Sequence, residues 1–222
     1  MCGATPQLRR PSSGAVMTWA PQLEAVGRIA SSEERIAQYT RLLEQALHDT
    51  PSASLPSLVR TYVDGAVLDP VNTTGAGLLV GRHMLAHLAT QLAAAHIPAN
   101  ILCTIVSDTL ATCEASSIMG DDELGPWRVL LAEQYASLSR WRDAAQALQS
   151  ITPHAARRIP QLSFAQLCVR VVELWLQDLP THVAEAEQAI KRANSAILDE
   201  RDNKALVHEL WSYHARVLAM QH

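Results

Sequence analysis

Two stretches of the chain carry the same helical pattern forty residues apart, and that offset limits the fold more than any other feature. Trp127 to Ser139 reads as one helix, and after a short turn Trp141 to Leu148 reads as a second, antiparallel to it. The pair recurs as Phe164 to Gln177, a turn at Asp178 to Pro180, and His182 to Ile197. Ala132 with Tyr135 corresponds to Val172 with Trp175, and Ala144-Ala145 with Leu148 corresponds to Ala186-Glu187 with Ile190. A third copy opens at Lys204 to Met220, where Ala215 and Leu218 take the Ala132 and Tyr135 places. Paired helices at an interval of about 40 residues mark an α-solenoid, a TPR-like right-handed superhelix. Small residues at the helix crossing and large ones beside it are what stacked hairpins need. Trp141 and Trp175 fit these stripes and read as packing between repeats rather than as binding aromatics.

Composition agrees with an all-α chain. Ala and Leu form about a quarter of the residues, and the ten aromatics include a single Phe, too few for a sandwich or barrel. Upstream of the repeats the helical periodicity begins near Pro21. Ser32, followed by Glu34 and Arg35, is placed to cap a helix whose stripe is Ile36, Tyr39, Leu43, Ala46 and Leu47. Leu58, Tyr62, Val63 and Ala66 form the next stripe, ended by Asp69-Pro70 because the residue before a proline avoids the α region. Asn72 to Gly77 reads as a loop, Leu78 to Ala95 and Ala99 to Ala115 as helices, and Gly120 to Pro126 as a loop. Residues 1–20 are interrupted by Pro6 and Pro11, lack acidic residues and read as a disordered tail; residues 21–222 read as the helical-repeat arm.

Several function classes are disfavoured. The formal net charge of −4 supplies no basic field for nucleic acid. No run of eighteen apolar residues exists to span a membrane. Cys2, Cys103, Cys113 and Cys168 have no CxxC spacing and, lying mostly in apolar helical stripes, read as reduced, buried thiols. Both lysines, Lys191 and Lys204, lack the Gly-Lys-Ser/Thr context of a phosphate loop. Gly75, Gly77 and Gly81 have the spacing GxGxxxG without a preceding strand, which reads as a helix start after a loop. His83 and His87 share a helix face at a zinc-compatible spacing, but no Glu follows His83 and nothing nominates further ligands. There is no HxH pair and no GxSxG elbow. Asp121, Asp122 and Glu123, and Asp199, Glu200 and Asp202, read as solvated helix ends without calcium-loop spacing. Arg157-Arg158 reads as a solvent-facing loop. No catalytic site, cofactor site or metal site assembles from these residues.

The string from Ser139 through Trp141-Arg142-Asp143-Ala144-Ala145-Gln146-Ala147-Leu148 to Ile151-Thr152-Pro153 resembles the repeat region of the subunit-4 family of the COP9 signalosome, helical-repeat proteins of the PCI class. The similarity extends upstream to Leu79-Val80-Gly81-Arg82-His83-Met84-Leu85 and Ala89-Thr90-Gln91-Leu92. Downstream it takes in Ala186-Glu187, Ile190, Arg192-Ala193, Tyr213 and Ala215-Arg216-Val217-Leu218, covering residues 30–222 with a short insertion near Asn72 to Gly77. The matching positions Tyr135, Trp141, Ala144, Ala145, Leu148, Trp175, Ala186 and Ile190 are packing positions, and no partner-binding residue can be named from them.

The resemblance implies a non-catalytic scaffold and recognition subunit that supports deneddylation of cullin-RING ubiquitin ligases. Its partners would be other signalosome subunits and the cullin-RING ligase, and its place the cytoplasm and nucleus. In that family a PCI winged-helix domain follows the arm, so the chain reads as an arm that stops before it. Related PCI subunits of the proteasome lid and of translation initiation factor 3, or a TPR-like adaptor, share the architecture and stay open as alternatives.

Overall fold

The computed structural model describes residues 19–159, 162–178, 181–198 and 203–220, and among them there are twelve α-helices and no strand. The N-terminal helices are α1 (Ala20–Gly27), α2 (Ser32–Asp49), α3 (Leu55–Tyr62), the one-turn α4 (Pro70–Thr73), α5 (Leu78–Ala94) and α6 (Ala99–Ser116). Next come α7 (Asp121–Ser137), α8 (Trp141–Gln149), the short α9 (Pro153–Ala156), α10 (Phe164–Leu176), α11 (Val183–Ile197) and α12 (Lys204–Ala219). The fold is an all-α stack of antiparallel helix pairs. α7 packs on α8, α8 on α10, α10 on α11, and both α10 and α11 on α12. In the N-terminal half α5 lies against α2 and α7, and α6 against α3 and α7. The N-terminal tail lies outside the described residues through position 18; Trp19 packs against the first core and α1 begins at Ala20.

Two hydrophobic cores run along the stack and α7 joins them. Trp127, Leu130 and Leu131 are buried in the first core, whereas Ala132 belongs to the second. Tyr135 and Ala147 touch both. Ala144, Ala145, Ala186, Ala189 and Ala193 are all buried on α8 and α11, where the missing side-chain bulk lets neighbouring helices approach closely. Glu187, one repeat on from Ala145, is half-buried.

Three local elements differ from the sequence reading. Ser31, not Ser32, caps α2, its hydroxyl accepting from the Glu34 amide, while Ser32 accepts from Arg35 at 3.2 Å. The segment Asn72 to Gly77 is not an open loop: Asn72 is fully buried. Its amide donates to the Ala66 carbonyl at 3.0 Å and to the Tyr39 hydroxyl at 3.3 Å, and Tyr39 donates to the Gly65 carbonyl. Those carbonyls belong to a π-helical turn, Val63–Val67, that ends the helix, where carbonyls lack partners along the chain. Third, α7 begins at Asp121, so the expected loop to Pro126 is helical. Glu123 accepts from the Gly120 amide at 2.9 Å. The helix runs through Pro126, and Gly125 before it packs closely on α9, where a Cβ would lie 3.4 Å from the Ala155 carbonyl oxygen.

The repeats are also tied by a polar clasp. The Arg192 guanidinium on α11 donates to the carbonyls of Gln149 at 2.7 Å and Ile151 at 2.8 Å, at the C-terminal end of α8. Its carbon lies 5.2 Å from the Phe164 ring centroid. Arg128 on α7 reaches the same helix end, donating to Ser150 O at 3.3 Å while paired with Glu114 and Asp121. Cations at a helix C-terminus satisfy orphan carbonyls and oppose the helix dipole. Arg192→Ala should therefore destabilise the chain by about 2 kcal/mol in urea unfolding, because two charge-assisted hydrogen bonds are lost. Arg192→Lys should recover less than half of that loss, since one ammonium does not reproduce the planar fork.

Candidate protein-docking surface

The sequence-selected residues divide by depth. Ala144, Ala145, Leu148, Trp175, Ala186 and Ile190 are buried, and Tyr135 and Trp141 are half-buried against the second core. The Tyr135 ring lies 4.4 Å from the Arg140 guanidinium carbon, and its hydroxyl is 3.3 Å from that of Ser107. Trp175 is 2% exposed, and the His182 ring packs 5.1 Å from it, between Asp178 and Glu185. The structure does not bring these residues to a common site; they are spread along the helix crossings.

The candidate chemical residues are also separate. His83 is exposed and His87 half-buried on α5, and no cluster of three or more metal-ligating side chains exists among the described residues. Gly77 and Gly81 serve packing: a Cβ on Gly77 would lie 1.8 Å from the Val71 carbonyl oxygen. One on Gly81 would lie 2.7 Å from that of Val67. Asp121 and Asp122 pair with Arg128 and with His154 and Arg158, and Glu123 pairs with Arg82 at 3.2 Å. Arg157 and Arg158 are exposed. Asp199, Glu200 and Asp202 lie outside the described residues, as does Cys2. Cys103, Cys113 and Cys168 are buried thiols whose burial raises each pKa, that of Cys113 to about 11.

A concave feature lies between two of these helices. α10 rests on α8, and between α10 and α7 a groove of about 330 Å³ stays open, continued by α12. Ala132, Ala136, Leu148, Leu167 and Leu174 supply apolar lining. Glu133, Glu173 and Glu209 supply carboxylates, with Arg170 paired to Glu173. Desolvation against the groove raises the Glu133 carboxyl pKa, and Arg170 pulls it the other way. Tyr213 donates to Glu209 at 2.8 Å, and its phenol pKa is raised by burial, by that bond and by the negative charges of Glu173 and Glu209. Sequence reasoning did not find this groove, since it depends on which helices fail to touch. A signal was present: Glu133 and Glu173 stand one repeat apart, each following a matched position, Ala132 or Val172.

No family model matches the chain. The chain is similar to COP9 signalosome complex subunit 4 of Caenorhabditis elegans, 28% identical over 199 residues. That alignment covers 85% of this chain and 47% of the relative, so the chain spans about half the length of the curated relative it matches.

Two predictions follow from burial. Trp175→Ala should cost about 3–5 kcal/mol in thermal or urea unfolding, and Trp141→Ala about half as much because its ring is only half withdrawn from water. Alkylation at pH 8, read by peptide mapping, should leave Cys113 unmodified in the folded protein and modify it in denaturant. With the folded pKa above the usual 9.0, the Cys113 contribution to stability is complete below pH 9.0 and is lost as pH rises to about 11. Cys113→Ala should flatten that part of the alkaline stability profile.

Proposed function

We propose that the chain is a non-catalytic scaffold subunit of a signalosome-type assembly, with residues 21–222 forming its helical-repeat arm. The observation that carries the reading is the alignment with a signalosome subunit over 85% of the chain, coinciding with a stack of helix pairs. On this reading it is a PCI-type relative that binds other signalosome subunits and contacts cullin-RING ligases, supporting deneddylation carried out elsewhere in the complex. It would act in the cytoplasm and nucleus. An extended helical-repeat surface suits this work because a few anchor residues can dominate affinity while neighbouring contacts exclude water.

Affinity purification of the full chain from its own cells, followed by mass spectrometry, tests the reading. Stoichiometric recovery of signalosome subunits with a cullin is expected. Recovery of proteasome-lid or initiation-factor subunits instead would move the chain to another PCI complex. Cleavage of the ubiquitin-like modifier from a cullin by the purified chain alone would overturn the non-catalytic assignment.

A further inference from the structure

The groove between α7 and α10 combines two properties that together select a partner. Its floor is apolar: Ala132, Leu148, Leu167 and Leu174 leave space because Ala132 and Ala136 keep the α7 wall low. Its wall carries three carboxylates, Glu133, Glu173 and Glu209, against the single guanidinium of Arg170, which is already paired with Glu173. The local excess of negative charge stands on a chain that is itself net −4. An acidic segment or a nucleic-acid strand would meet repulsion there. A purely apolar segment would leave the carboxylates with poorer solvation. At about 330 Å³ the cavity is at the lower bound for small-molecule sites, and its open form suits a few anchoring side chains of a larger body.

We propose that this groove docks a basic amphipathic helix of a separate protein, with Leu or Ile side chains on the floor and Arg or Lys side chains against Glu133 and Glu209. Apolar anchors at helical spacing lying in a groove are an established mode of peptide recognition, and complementary charge at the edge gives orientation and salt dependence. Glu133 on α7 and Glu209 on α12 come from different helices, so the occupant must lie across the stack to reach both. The inference does not rest on which assembly the chain enters. Failure of the purification experiment above leaves it standing, and its own failure leaves the scaffold assignment standing.

The test uses the full chain with leucine methyl groups labelled for NMR and a synthetic helical peptide of Leu and Arg in i, i+3, i+4, i+7 register. Saturable binding is expected, with shifts centred on the Leu148, Leu167 and Leu174 methyls and an affinity that falls as salt rises. The double variant Glu133→Gln, Glu209→Gln should weaken binding about fivefold and reduce the salt dependence. Ala136→Trp should block the groove; the isosteric glutamine variants keep the test decisive if that substitution disturbs folding. Equal binding of a control peptide with Ser in place of Leu would overturn the proposal by reducing the effect to charge alone. Shifts centred away from the groove would also overturn it. So would a gain in peptide affinity of about tenfold on deleting residues 1–18, which would assign the groove to the chain's own segment containing Arg9 and Arg10.

Discussion

The stack depends on how the end of α8 is held. A helix end leaves its last carbonyls without partners along the chain, and they must find donors elsewhere. Here the carbonyls of Gln149, Ser150 and Ile151 are engaged by arginines from both sides, Arg192 from the following helix pair and Arg128 from α7. Apolar packing brings the pairs together but is non-directional. Arg192 supplies direction, because it reaches the Gln149 and Ile151 carbonyls only when the following pair has the observed offset, while Arg128 holds the Ser150 carbonyl from the partner helix of the same pair. Arg192 contributes twice, since its guanidinium also lies over the Phe164 ring at the start of α10.

With that register set, α7 becomes the member shared by both cores. Its N-terminal turns carry Trp127, Leu130 and Leu131 into the first, and Ala132 begins the second. A helix that serves two cores buries apolar side chains around much of its circumference, and α7 accordingly lacks a clean amphipathic stripe. The groove follows from the same arrangement. α10 takes its support from α8 and α11, so the flank of α7 that carries Glu133 and Ala136 remains open. The acidic wall is thus a product of the stacking scheme, built from surface positions that the crossings leave free.

The helical arm was legible in the sequence wherever one residue's local surroundings decide its fate. Ala144, Ala145 and Ala186 mark crossings because only small side chains permit close approach, and the offset near forty relates one pair to the next. Legibility failed where distant residues decide. Asn72 has a loop-forming composition around it, yet it is buried because the π-turn at Val63–Val67 presents carbonyls that need a donor. Gly120 to Pro126 reads as a loop, but Glu123 accepts from the Gly120 amide at the helix start and α7 runs through Gly125 and Pro126. The groove was the least visible feature, since its apolar floor uses residue types identical to core and its carboxylates look like ordinary solvated helix surface.

The contrast between α10 and α12 shows why matched sequence does not guarantee matched burial. Val172 and Trp175 are buried where α10 meets the rest of the second core. Their counterparts on α12, Ala215 and Leu218, are exposed, Leu218 by 46%, and Trp211 on the same stripe is 62% exposed. Meanwhile Leu206, Leu210 and Val217 on α12 are buried against α10 and α11. α12 therefore spends one apolar face on the stack and presents a second, in the register that α10 covers. A repeat pattern specifies the surface a helix offers to its neighbours. Whether that surface is core or interface is decided by what stands opposite it, and the same small–large spacing serves either outcome.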